Sequence, residues 1–301
     1  MLNELKHVIS GSTIPAANRV LIENGAARAT DCQIEMVVPV QSDQRVCIDP
    51  EPLWRFPPSM GGMIEEGYAT IGDFAVTIDG ETIADFPQPI EGTDHHAVEV
   101  SEDFMSTLRR CAHAMSTDKT RYYLKGVHLA SGGHVEATDG RRMLRVPGAW
   151  EGGQSIIIPA KAIKIATARS FAALVAFRRG PNGVSFEWDD CAILRSNVVD
   201  GRYPDTSKVI PDDPPHLFTL SHPRAVARAL RHFRASEKAV RITGADGRLH
   251  FSDRTVSFTA EAEFEGTVDV RFNHKYMVEA LKYADDPARW SMRRDIFPVP
   301  V

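Results

Sequence analysis

The sequence predicts an α+β protein made of three similar units in tandem. Three observations carry that expectation. Amphipathic helix patterns recur along the chain, a Thr-Asp or Ser-Asp pair recurs in the strand-like stretches that follow, and apolar and polar residues alternate through much of the remainder. Asp31, Asp139 and Asp253 lie 108 and 114 residues apart, while Pro50, Pro159 and His274 lie 109 and 115 apart. Two markers keeping nearly the same period argue against coincidence.

The elements can be justified in order. "LNELKHVIS", "SEDFMSTLRRCAHAMS" from Ser101 and "SHPRAVARALRHFRAS" from Ser221 each supply the first helix of a unit. Ser101 and Ser221 are the expected N-caps, with Glu102, Asp103 or Pro223 in the first turn. Strand-like "ATDCQIEMVV", "ATDGRRMLRV" and "FSDRTVSFTA" follow. A second helix pattern then recurs at "CIDPEPLWRF", "IIPAKAIKIA" and "RFNHKYMVEAL". "YATIGDFAVTI", "GVSFEWDDCAILRSNVV" and "RTVSFTAEAEFEGTVDVRF" alternate as strands do. Pro, Gly and Asp make "IEGTDHH" and "IPDDPPH" natural linkers, which sets the units at 1–95, 96–213 and 214–301.

Bulk composition excludes several classes. The chain has 301 residues, 43% of them hydrophobic and 25% charged, an ordinary globular profile too long for one core. Cys32, Cys47, Cys111 and Cys191 are widely spaced and form no C-x-x-C pair, so neither zinc nor a disulfide framework is expected, and a reducing cytoplasm fits. No stretch is long enough to cross a membrane. The net charge of −5 makes any cationic face a local feature.

One such face is legible. Arg224, Arg228 and Arg231 share one side of their helix, opposite Val226, Leu230 and Phe233, and only Glu237 at the end of the pattern opposes them in sign. A solvated face in an acidic protein would mix charges. Arg109 and Arg110 project from the Ser101 helix, and Lys275 and Lys282 lie together, away from Met277 and Leu281. Lys161, Lys164 and Lys6 (with His7) are weaker members of the set. Regularly spaced cations without base-reading aromatics suit phosphate contact that ignores sequence. For Asp139-Gly140-Arg141-Arg142, a catalytic carboxylate, a phosphate cradle and a plain turn all remain open on the residues alone.

Five stretches in register make the pattern more specific. "TRYYLKGVHL", "EATDGRRML", "IIIPAKAI", "VVDGRYPDTSKVIP" and "FNHKYMVEAL" resemble the bacterial DNA sliding clamp family, the beta subunit of DNA polymerase III. "STIPAANRVLIENGAARATDCQIEMVV" and "ADFP" extend the likeness into the first unit, so that it covers nearly the whole chain.

The resemblance implies three repeated clamp domains, each with two inner helices and outer antiparallel sheets, forming half of a ring. Two chains joined head to tail would encircle double-stranded DNA, with the cations above lining the pore. It further implies a pocket between the second and third domains for short peptides of a replicative DNA polymerase subunit and of the clamp loader ATPase. Carried over by matching motifs, one wall is Leu124, Thr138, Gly140, Arg141, Arg142 and Met143. The other is Pro204, Lys208 and Val209 with Asn273 and Tyr276, and Pro298 and Val299 stand where the family's tail would complete it. Phe86, Phe233 and Arg234 would lie at the seam of the homodimer. No catalytic residue, metal or cofactor is expected, because Asp139 has no second carboxylate or nucleophile–base pair beside it in any motif. The chain begins almost at its first helix and ends before a last hairpin of the family, and Arg234 replaces an aliphatic residue. An adaptor that binds such peptides without encircling DNA is therefore the second expectation.

Overall fold

The computed structural model describes residues 2–9, 14–57, 62–65, 67–78, 80–81, 83–93, 96–210, 216–233, 239–284 and 288–291. Five α-helices are present among them: α1 (Leu2–Ile9), α2 (Phe104–Ala112), α3 (Ala160–Ala168), α4 (Pro223–Leu230) and α5 (His274–Tyr283). The strands pair antiparallel throughout, which confirms the α+β class. Two compact units result, residues 1–203 and 204–301.

The first unit joins two sequence repeats through one sheet. Ile34–Pro39 of the first repeat pairs with Ile193–Asn197 of the second, placing Glu35 opposite Arg195 and closing a nine-stranded sheet. A four-stranded sheet carries Met143–Val146, Val135–Thr138, Gly126–Leu129 and Ile156–Pro159 in that order. A three-stranded sheet holds Gly62–Glu65, Tyr68–Ile71 and Phe74–Thr77. One continuous core runs through both repeats, with Leu5 and Val8 of α1, Leu108 of α2 and Ile163 of α3 buried beside Met36, Val127 and Phe186. Burying such side chains is worth roughly 1.5–3 kcal/mol each.

The second unit has its own core. A six-stranded sheet packs against α4 and α5, burying Leu230, Met277 and Leu281 with Ile242, Leu249 and Phe251. On α4 the apolar face reads as expected, since Val226, Leu230 and Phe233 are buried.

Three expectations need correction. Two helices per repeat hold in the second and third repeats, but "CIDPEPLWRF" forms only a 3-10 turn at Leu53–Arg55. Pro57 supplies no N–H and crowds the turn before it, so the pattern cannot extend. Ser101 does not cap α2: Asp103 precedes Phe104, and the Ser101 hydroxyl donates to Asp103 Oδ1 at 2.6 Å. Ser221 is displaced likewise, because Pro223 with its fixed φ takes the first helical position and makes His222 the N-cap.

Candidate functional site

The Asp-Gly-Arg-Arg stretch is a self-contained turn. Asp139 Oδ1 accepts from the N–H of Arg141 at 2.9 Å and of Arg142 at 3.0 Å, and Thr138 Oγ1 donates to the Arg142 carbonyl at 2.6 Å. Gly140 sits at φ +85°, and its N–H donates to Thr138 Oγ1 at 3.0 Å. The same construction recurs at Asp31, which accepts from Gln33 and Ile34, and at Asp253, which accepts from Thr255 and Val256. Sequence periodicity therefore marked a repeated side-chain-capped turn.

The turn organises unequally the residues expected to form the first peptide wall. Arg142 is half-buried and engaged: Nε donates to Asp139 Oδ2 at 3.0 Å and Nη2 to the His113 carbonyl at 2.6 Å. Its guanidinium thus holds the turn to the end of the α2 segment. Leu124 and Thr138 are buried, Leu124 beneath Ile157 and Tyr203, so neither is an open floor. Gly140 and Arg141 are exposed and Met143 is half-buried. The Arg121 guanidinium lies over the glycine, its Nη1 2.6 Å from where a Cβ would stand.

The residues expected to form the second wall lie on the second unit. Pro204, Lys208 and Val209 are exposed, and Lys208 Nζ is 3.8 Å from Asp205. Asn273 is the N-cap of α5, its side chain accepting from the Lys275 N–H at 3.0 Å. Tyr276 is half-buried. Pro298, Val299 and Arg234 lie outside the described residues.

The cations also divide. Arg224, Arg228 and Arg231 are all exposed on one side of α4, and Lys275 and Lys282 are exposed on α5, Lys282 Nζ being 5.0 Å from the Tyr283 ring. On the first unit Lys164 is exposed, and Lys6 is exposed with its Nζ 5.7 Å from the Trp54 ring. Arg109 is exposed but donates to the Thr167 carbonyl of α3 at 2.7 Å, and Arg110 is half-buried rather than projecting. Lys161 pairs with Asp31 Oδ2 at 2.6 Å and also donates to the Val8 carbonyl, which ties α3 to the end of α1 and to the first turn. Its charge is largely neutralised within the chain.

Both seam aromatics are already covered. Phe86 packs with Leu21 and Cys47 beneath the Arg28 guanidinium, 4.7 Å from its ring centre, and Phe233 meets Phe258 edge-on at 5.8 Å. A second chain would gain little apolar burial from either residue.

Sequence reasoning missed three buried charge clusters. Glu35, fully buried, accepts from Arg28 at 3.0 Å and Arg195 at 2.8 Å. Arg169 pairs with Glu4 and Asp190 and stacks near Trp188, 4.8 Å from its ring centre. Glu136 accepts from Arg145 Nε at 3.0 Å and lies 2.8 Å from His128 Nδ1, while the His128 ring stacks on Tyr203 at 4.3 Å. Burial raises the Tyr203 hydroxyl and pushes the Cys111 thiol up to about 12, so neither is an ionised nucleophile at neutral pH. In each cluster the partners come from separate elements, and no local spacing records them.

Comparison with known proteins gives this geometry a family setting. The family described as the DNA polymerase III beta subunit, central domain, matches residues 99–205. The beta sliding clamp of Caulobacter vibrioides is 27% identical over 216 residues, 64% of this chain and 58% of that protein. Its matched part is thus less than two thirds of the curated relative. Among solved structures, a sliding clamp from Bartonella birtlesii bound to griselimycin superposes with a TM-score of 0.80 at 20% identity, covering 96% of this chain and 90% of that one. The C. crescentus clamp gives 0.78 at 23% identity, with 97% and 90% covered. The DNA polymerase III beta subunit of Pseudomonas aeruginosa gives 0.78 at 19%, again covering 97% and 90%. Central-domain sequence, curated relative and fold point the same way: residues 99–205 are similar to the central domain of the DNA polymerase III beta subunit, and the chain has the fold of bacterial sliding clamps.

Proposed function

We propose that the chain works as a DNA sliding clamp, a non-catalytic processivity factor of the cytoplasm with three domains at 1–95, 96–213 and 214–301. Two copies joined head to tail encircle duplex DNA, and a clamp loader ATPase opens the ring. A replicative polymerase is tethered through a short peptide that binds at the residues the family's motifs assign. The observation that carries the reading is the α4 face, where Arg224, Arg228 and Arg231 are exposed together on a clamp fold in an acidic chain. Duplex phosphates are the partner that an unbroken cationic row fits without base contacts. Among the described residues no helix is long and apolar enough to cross a membrane.

Topological retention tests it. Loaded protein should stay on nicked circular DNA through gel filtration and leave once the circle is linearised, with a solution mass of about twice 33.3 kDa. The burial of Phe86 and Phe233 within their own units favours a second reading, the peptide-binding adaptor. A monomer at micromolar concentration that still binds a polymerase-tail peptide would establish the adaptor and remove the ring.

A further inference from the structure

We propose that a groove on the first unit binds a short extended peptide of mixed charge, with an acidic residue at Arg109 and a basic one at Glu102. The groove, of about 740 Å³, opens between the start of α2 and the strand Leu174–Arg179. None of the residues expected to hold a polymerase peptide lines it.

Backbone pairing sets the class of ligand. His96 and Ala97 pair with Arg179 and Arg178, and the Val98 N–H donates to the Phe177 carbonyl at 2.9 Å. The chain then turns away, Val100 bridging to Trp150 before α2 begins at Phe104. Among the described residues, no strand covers residues 174–176 on that side. Val175 falls outside the register with Gly183–Trp188 and is 62% exposed. An open sheet edge is completed by an extended peptide backbone, which neither a nucleic acid nor a lipid headgroup offers. Val98, Val100, Met105 and Leu174 make the walls apolar, so alternate side chains of the added strand enter between them. Charge selects among such peptides. Glu102 lies just before α2 and Arg109 in its last turn, and both line the groove exposed. Arg109 donates only to the Thr167 carbonyl, at 2.7 Å, and among the described residues neither side chain has a partner of opposite sign. Arg169, the other cation of the lining, is already held by Glu4 and Asp190.

Selection of a displayed library of random dodecapeptides against the full chain tests the assignment. Enriched peptides are synthesised and titrated by fluorescence polarisation at one fixed salt concentration. They should carry alternating apolar residues with one acidic and one basic residue. Arg109→Glu should weaken them about fivefold. The exchange of Glu102→Arg with Arg109→Glu should instead favour peptides whose acidic and basic residues are swapped. Tyr276→Ala should leave their binding unchanged. No enriched peptide, or peptides that bind Arg109→Glu as they bind the parent, overturns the proposal. Peptides weakened by Tyr276→Ala and indifferent to Arg109→Glu belong to the polymerase-peptide residues and also overturn it. Amide exchange of the parent protein with and without the selected peptide is independent of any variant's folding. Slowed exchange at residues 174–176 supports the groove, and protection confined to other segments refutes it.

Discussion

Cys32 and Gly140 occupy the same place in two copies of one turn, directly after Asp31 and Asp139. Both have positive φ, +69° and +85°. A side chain in that left-handed region costs roughly 1–2 kcal/mol, partly offset by the backbone entropy a glycine loses on folding. Cys32→Gly should therefore stabilise the protein by about 0.5–1 kcal/mol in urea unfolding, and Gly140→Ala should destabilise it by about 1 kcal/mol. His134 makes a separate residue-scale claim. Burial, reinforced by the nearby Arg145 charge, holds its imidazole below the ordinary 6.5. The unfolded chain then binds a proton that the fold resists, so stability present above pH 6.5 is lost as pH falls below it. His134→Gln should make the urea midpoint fall less steeply between about pH 6.5 and 5.

At the scale of elements, what the sequence made legible was whatever had a period. The helix faces on α4 and α5 and the recurring aspartate turns obey 3.6-residue or whole-repeat spacing, so they could be read directly. Glu35 shows what could not. It sits in an apolar stretch, "QIEMVV", and its arginines are Arg28 on the neighbouring strand and Arg195 across the junction between repeats. Only the sheet register brings the three together. Removing the carboxylate leaves two largely buried guanidiniums without their acceptor, so Glu35→Ala should cost about 3 kcal/mol or more in urea unfolding, and Glu35→Gln less. The expected peptide residues could be placed as motif positions, yet what Arg142, Asn273 and Leu124 touch required coordinates. Each is engaged by backbone or core that no spacing rule encodes. For α4, replacing Arg224, Arg228 and Arg231 by Glu should flatten the salt dependence of duplex binding. Each lost phosphate contact lowers the log–log slope by about 0.9, and an unchanged slope in the folded variant would show that the row is only a solvated face.

For the whole molecule, three sequence repeats become two cooperative bodies. Residues 1–203 share one core across a continuous sheet, while residues 204–301 pack around their own. Scanning calorimetry should resolve two transitions, the larger carrying about twice the enthalpy of the smaller, because unfolding enthalpy scales with residues melted. A single transition that fits one two-state unit would show that the bodies melt together.

The strand pair that joins the first two repeats also sets a clock for synthesis. Glu35 and Arg195 are 160 residues apart, and a ribosome adding roughly 5–20 residues per second needs about 8–32 s to cover that interval. Throughout it, Ile34–Pro39 can pair with Ala26–Thr30 on one side, but its other edge lacks the strand that covers it in the fold. Fragments that stop short of Asn197 should accordingly be caught by holding chaperones or precipitate, while chains released just beyond it should become soluble.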